Sequence, residues 1–111
     1  MVNSHSAQRL AIVDLRHRIE VIAVVAVESA LPTLDHFVEQ TEIAKRLAFL
    51  PVAYEKKAPV SDLLGMVRVA RHIYKRSSDV LHGRSSMVNL SNAMINEWLT
   101  AVERIEFVVS S

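Results

Sequence analysis

The chain has 111 residues, half of them hydrophobic, which favours one folded domain over residues 1–111 and excludes a disordered chain. It contains two glycines, three prolines and no cysteine, so a disulfide framework and a thiolate zinc site are excluded, and a sandwich of many short strands is disfavoured. The net charge of +1 excludes a protein that binds polyanions over its whole surface, and the lack of cysteine fits a cytoplasmic location.

The first predicted helix begins after Ser4 or Ser6, either of which can cap it, and ends at Pro32. Apolar residues recur along it at helical spacing. Its most apolar stretch is 21–27, where every face is apolar, so we expect this half to be covered on all sides. The β-branched residues there make a strand the competing interpretation. A membrane span needs about 20 apolar residues, so the stretch predicts a buried helix and no membrane partner.

Three more helices are predicted after Pro32. The second runs from Leu34 to about Leu50, with Thr33 as its cap and Pro51 as its end. The third begins at the cap Ser61, carries an apolar seam of near-heptad spacing and stops at Gly83. The fourth is capped by Asn89 or Ser91, and its predicted buried residues are Leu90, Met94, Trp98, Leu99, Val102, Ile105 and Val109. The predicted fold is therefore all-α, an up-down four-helix bundle whose seams also favour a two-fold dimer.

The end of the third helix carries most of the local positive charge. Residues 68–84 hold five basic side chains and one acidic one, and such a patch attracts phosphate. Within it, Arg76 and His82 combine a permanent cation with a side chain that titrates near neutral pH. Metal-free RNA cleavage needs both functions. A solvated basic helix surface is the ordinary alternative.

The segment Tyr74 to Arg84, YKRSSDVLHGR, resembles the signature of HEPN-domain proteins, in which an Arg and a polar residue precede a His that is often followed by Gly. Val24 to Gln40 is similar to the apolar helix of one HEPN branch, and the helix with Trp98 also fits. The resemblance covers most of the chain. HEPN proteins are small helical bundles, and many are toxin or anti-phage ribonucleases.

The resemblance implies a metal-independent endoribonuclease in which the RNA 2′-hydroxyl attacks the adjacent phosphate. It implies His82 as the proton-transfer residue and Arg76 as the cation on the scissile phosphate. Lys75 and Arg84 would bind flanking phosphates, and Ser77 would position the motif. No cofactor is implied. The implied partners are RNA, a second copy of the chain, and an antitoxin or a nucleotidyltransferase.

Five residues separate Arg76 from His82, whereas many family members have four. On an ideal helix this spacing turns the two side chains about 120° apart and separates them by about 9 Å. The prediction therefore places the site across a dimer, where each protomer supplies part of one cleft.

Two other functions stay open: a catalytically inactive HEPN-like module that binds RNA or dimerises, and a helical protein-interaction protein. Glu28 is a candidate for orienting the motif or a plain surface carboxylate. Tyr74 is a candidate for base stacking, although its place on the seam favours core packing. Asp14 with His17 and Asp79 with His82 have the spacing of metal ligands, but the inward glutamates of a two-metal bundle site are missing, so no metal site is predicted.

Overall fold

The structure is a computed structural model that describes residues 4–33, 42–83 and 90–110. All regular elements of these ranges are helical. They are α1 (Ser4–Ala30), a short 3₁₀ helix (Leu31–Thr33), α2 (Ile43–Leu47), α3 (Leu50–Ala53), α4 (Val60–Leu81) and α5 (Asn92–Ser110). The predicted all-α class is confirmed.

Helix α1 is continuous through the β-branched stretch, so the strand interpretation of 21–27 is wrong. It ends two residues before Pro32, since the residue preceding a proline is disfavoured in the α region. The expectation that this half is covered on all sides is also wrong, because Val21 is 48% and Val24 38% exposed. No described helix has the length and hydropathy needed to cross a membrane.

Within the described residues 42–53, the second predicted helix is replaced by two short ones, α2 and α3, and Pro51 explains the break. Pro51 lies in the first turn of α3, where a missing N–H costs nothing. If α2 continued into α3 as one helix, the Pro51 ring would clash with the carbonyl of Leu47, four residues earlier. Helix α2 therefore ends at Leu47. The chain between them tightens into i→i−3 hydrogen bonds at Ala48 and Phe49. The predicted start at Leu34 lies outside the described residues.

Helix α4 carries the predicted seam, but it does not begin as predicted. It begins at Val60 after Pro59 and has no side-chain cap, so the cap at Ser61 is wrong. The predicted stop is confirmed. The helix ends at Leu81, and Gly83 follows with a φ of 75°, the left-handed conformation that glycine adopts without a Cβ penalty.

Helix α5 begins next to Ser91, as one of the two predictions had it. The Ser91 hydroxyl accepts a hydrogen bond from the backbone N–H of Met94 at 3.1 Å. Of the residues that the fourth helix was predicted to bury, Leu90, Trp98, Val102 and Ile105 are buried, and Met94, Leu99 and Val109 are half-buried. Ile95 takes the place given to Met94.

Contacts at the two ends of α1 show how the long helices run. Gln8 donates to Asn92 at 3.0 Å near the start of α5, and Arg18 is paired with Glu106 near its end, so α1 and α5 are parallel. Helix α4 runs antiparallel to both. The hydrogen bond to the Glu106 carboxylate raises the pKa of Arg18 above its ordinary value.

The core lies between these three helices, with α2 and α3 covering the C-terminal half of α1. Its fully buried members include Ile12, Leu15, Ile19, Ile22, Leu47, Leu50, Leu63, Ile73, Val102 and Ile105. Over the described residues 42–53, two short helices therefore stand where the predicted bundle has the C-terminal part of its second long helix.

Candidate nucleic-acid interface

One flank of α4 faces α1 and α2. It carries Arg71, Lys75 and Ser78, which lie at successive turns of the helix. Arg71 donates from Nε to the backbone carbonyl of Ala44 in α2 at 2.8 Å. Arg16 of α1 donates from Nε to the Ser78 hydroxyl at 3.2 Å. His82, four residues after Ser78, continues this flank to the end of α4.

The other flank of α4 faces α5. There His72 meets Trp98 edge to face, with the ring centroids 6.3 Å apart. Arg76 lies one turn after His72 on the same flank. Because α4 is regular up to Leu81, the six-residue step from Arg76 to His82 keeps the rotation of about 120° of an ideal helix. A single protomer therefore does not bring Arg76 and His82 together.

His82 is exposed and held by two contacts with one backbone carbonyl. Its backbone N–H and its Nδ1 approach the Ser78 carbonyl oxygen at 2.9 Å and 2.7 Å. A carbonyl oxygen only accepts, so Nδ1 carries the hydrogen and donates it. The lone pair of the neutral ring is then on Nε2, the nitrogen that can accept a proton from another molecule.

The remaining predicted site residues have different surroundings. Lys75 is exposed, as a phosphate-binding residue must be. Ser77 is fully buried, so its hydroxyl cannot touch a ligand from solvent, and only a role inside the protein is open to it. Arg76 is half-buried, and its Nε is buried without a partner among the described residues. Arg84 lies outside the described residues. Glu28 is exposed at the end of α1.

A cleft of about 410 Å³ opens beside the α1-facing flank of α4. Its lining residues are Ala44, Leu47, Arg71, Tyr74, Lys75, Ser78 and Asp79. Tyr74 packs its ring against the core, as its seam position predicted, and the Arg16 guanidinium lies 4.9 Å from the ring centroid. The cleft thus joins an apolar floor to basic side chains and one carboxylate.

Sequence reasoning missed Arg16 as a member of this site. Arg16 is one of the charged residues that lie largely off the apolar stripe of α1, and it belongs to no motif. The available signal was its spacing, because Arg16 follows Ile12 by four residues and precedes Ile19 by three, at the edge of the buried stripe. An arginine at such an edge can pack its side chain against the neighbouring helix and need not point only into solvent.

In the described part of the chain, no three His, Asp or Glu side chains are grouped so that they could hold a metal ion. Comparison with known proteins gave no match, whether with family models, curated proteins or solved structures.

Replacing either of the adjacent serines Ser77 and Ser78 by alanine should change the free energy of unfolding, and in opposite directions. Ser77→Ala removes a buried hydroxyl that has no partner among the described residues, so we expect the free energy of unfolding to rise by about 1 kcal/mol. Ser78→Ala removes the acceptor of the Arg16 bond, and we expect a loss of about 1 kcal/mol. Urea unfolding of both variants measures the two values. A destabilised Ser77→Ala protein would show that this hydroxyl has a partner.

Proposed function

We propose that this protein is a metal-independent endoribonuclease, active as a homodimer with an HEPN-like helical bundle. The observation that carries the proposal is the state of His82. It is exposed, and its Nδ1 is engaged by the Ser78 carbonyl, which leaves Nε2 as a proton acceptor. The basic flank of α4 and the resemblance of Tyr74 to Arg84 to the HEPN signature support RNA as the substrate.

The proposed reaction is an internal transfer of the phosphate. Nε2 of His82 takes the proton of a 2′-hydroxyl, the 2′-oxygen bonds to the adjacent phosphorus, and the bond from phosphorus to the 5′-oxygen breaks. The leaving 5′-oxygen receives the proton from the imidazolium. The products are a 2′,3′-cyclic phosphate and a 5′-hydroxyl, so no water is consumed in this step.

The phosphate needs a cation while it carries five oxygens. Arg76 is the residue predicted for this role, and only the Arg76 of a second copy could meet His82, since the two lie on different flanks of α4. Exposed Lys75 would bind a flanking phosphate, and Arg84 keeps the same predicted role. Ser77 would position the motif from within the core.

The test is cleavage of single-stranded RNA by the purified protein in the presence of EDTA. We expect cleavage to continue in the chelator and to leave cyclic phosphate ends, which acid or a phosphatase with cyclic-phosphate activity opens. A DNA strand of the same sequence is the matched control, because it lacks the 2′-hydroxyl and should remain intact. Absence of RNA cleavage, or equal cleavage of DNA, would refute the proposed reaction.

A binding module is the second candidate, and the separation of Arg76 from His82 within one protomer favours it. In that case RNA affinity would fall with rising salt while the RNA stays intact. No RNA affinity at all would favour a helical protein-interaction protein. For the ribonuclease, a toxin–antitoxin or phage-defence setting in the cytoplasm, with an antitoxin or nucleotidyltransferase partner, follows from the resemblance.

A further inference from the structure

We propose that Arg16 of α1 binds the scissile RNA phosphate next to His82 of the same protomer. This inference rests on the proposed ribonuclease function and assigns its phosphate-binding cation. The predicted motif gives this role to Arg76 and does not include Arg16, which is 66 positions from His82 in sequence. The fold brings the two to one residue, Ser78, which both of them contact.

Ser78 links the two side chains through its two oxygens. Its hydroxyl accepts from Arg16 Nε at 3.2 Å, and its backbone carbonyl accepts from His82 Nδ1 at 2.7 Å. Both contacts are on the α1-facing flank of α4. A cation and a proton acceptor are thus held by the same helical turn, with no second protomer required.

The guanidinium of Arg16 is oriented but not saturated. Nε is taken by Ser78, and the guanidinium carbon lies over the Tyr74 ring, 4.9 Å from the ring centroid. The two terminal nitrogens keep the planar fork that fits two phosphate oxygens. No carboxylate bonds to Arg16 within residues 4–33, 42–83 and 90–110.

Arg18, two positions away, is paired differently from Arg16, because its partners are carboxylates. It faces α5, where Glu106 takes its Nε at 3.0 Å and one terminal nitrogen, and Asp14 takes the other at 3.5 Å. All three nitrogens of Arg18 are therefore engaged by carboxylates. Two arginines on one helix therefore have different surroundings: Arg18 ties α1 to α5, and half-buried Arg16 has no carboxylate partner among the described residues.

The surroundings of Arg16 define the class of ligand. The adjacent cleft, about 410 Å³, has the size of small-ligand sites and is lined by Arg71 and Lys75 as well as by the Asp79 carboxylate. Arg16 covers one face of the Tyr74 ring, so a base cannot stack on that face. The site therefore fits the phosphate backbone of a single strand and reads little of its base sequence.

Binding of RNA to a protein whose cleavage is strongly slowed tests Arg16 apart from catalysis. In a His82→Asn background, Arg16→Gln removes one phosphate contact, so the slope of log affinity against log salt should fall in magnitude by about 0.7 for a single strand. Arg104→Gln makes the same charge change at a separate cavity between α4 and α5, and its slope should stay unchanged. Equal slopes for Arg16→Gln and its parent, or no RNA binding by the parent, would overturn the proposal.

Mixed dimers test whether Arg16 and His82 act in one protomer. We expect Arg16→Gln alone to lower kcat/KM for RNA by about 100-fold, as loss of one donor to a developing oxyanion does. Dimers that combine an Arg16→Gln copy with a His82→Asn copy should cleave no faster than the two separate variants. Recovery toward half of the parent rate in these mixed dimers would place Arg16 in the partner's site and overturn the proposal, and unaltered cleavage by Arg16→Gln would do the same. A parent that binds RNA but never cleaves it would refute the ribonuclease function while the salt slope still decides the phosphate contact.

Discussion

Replacing His82 by asparagine is expected to lower the rate of RNA cleavage by about 10²–10⁴-fold, the usual contribution of a positioned acid–base group. The asparagine amide can still donate to the Ser78 carbonyl in place of Nδ1, so the end of α4 should be preserved. It has no group that takes up a proton near neutral pH, which is the function proposed for Nε2. Initial rates on a short RNA in EDTA, with thermal unfolding of each protein, measure the two effects separately.

His72→Asn is the matched control for that experiment. His72 is also exposed on α4, three turns before the end, but it faces α5 and packs against Trp98. Its replacement should cost up to about 1 kcal/mol of stability through the lost aromatic contact and leave the cleavage rate unchanged. A His82→Asn protein that is folded and cleaves as fast as the parent would remove the acid–base role.

The long helices could be predicted from the sequence because their apolar residues repeat at helical spacing. This held for α1, α4 and α5, including the stop at Gly83 and the cap at Ser91. The helix predicted from Leu34 failed for a local reason. The periodicity of its apolar residues continues to Leu50, whereas the ring of Pro51 acts on the carbonyl of Leu47 four residues earlier, so the helix ends there.

The candidate site was only half predictable. His82 is found from a local motif, and its place at the C-terminus of α4 follows from the glycine after it. The contact of Arg16 with Ser78 spans 62 positions and depends on how α1 packs against α4, so no motif can encode it. Arg76 is the opposite case, since it is close to His82 in sequence while the helical rotation separates them.

One face of α1 is apolar and uncovered, and it bears on the proposed homodimer. Leu10, 72% exposed, begins a stripe that continues through Val13 and Val24 at heptad spacing, with His17 and Glu20 between them. The stripe complements itself in an antiparallel pair. Leu10 then lies opposite Val27 of a second copy, Val13 opposite Val24, and His17 opposite Glu20, so that apolar residues meet apolar ones and a carboxylate meets a histidine.

This pairing has a consequence for the candidate site. In an antiparallel pair related by a two-fold axis, the same flank of both α1 helices faces one side of the dimer. Arg16 is on the flank of α1 that faces α4. The two clefts beside Ser78 and His82 would therefore open on a common surface of the dimer. Arg76, on the α5-facing flank of α4, would lie away from it. A dimer through α1 therefore favours Arg16 over Arg76 as the cation beside His82.

A pair of charge substitutions tests both the face and its register. With Val13→Glu and Val24→Glu together, each carboxylate meets another across the interface, and we expect the dimer dissociation constant to rise at least about 100-fold. Val13→Lys with Val24→Glu puts opposite charges at both places in the antiparallel register, so this protein should remain a dimer. In a parallel pair the same protein would face lysine with lysine and dissociate.

Sedimentation velocity over a range of concentrations distinguishes these states. Val52→Glu with Val69→Glu, two exposed valines on α3 and α4, is the control that should leave the mass unchanged. If the double glutamate protein in α1 stays dimeric, or the lysine–glutamate protein dissociates with it, the second copy does not pair along α1 in this register.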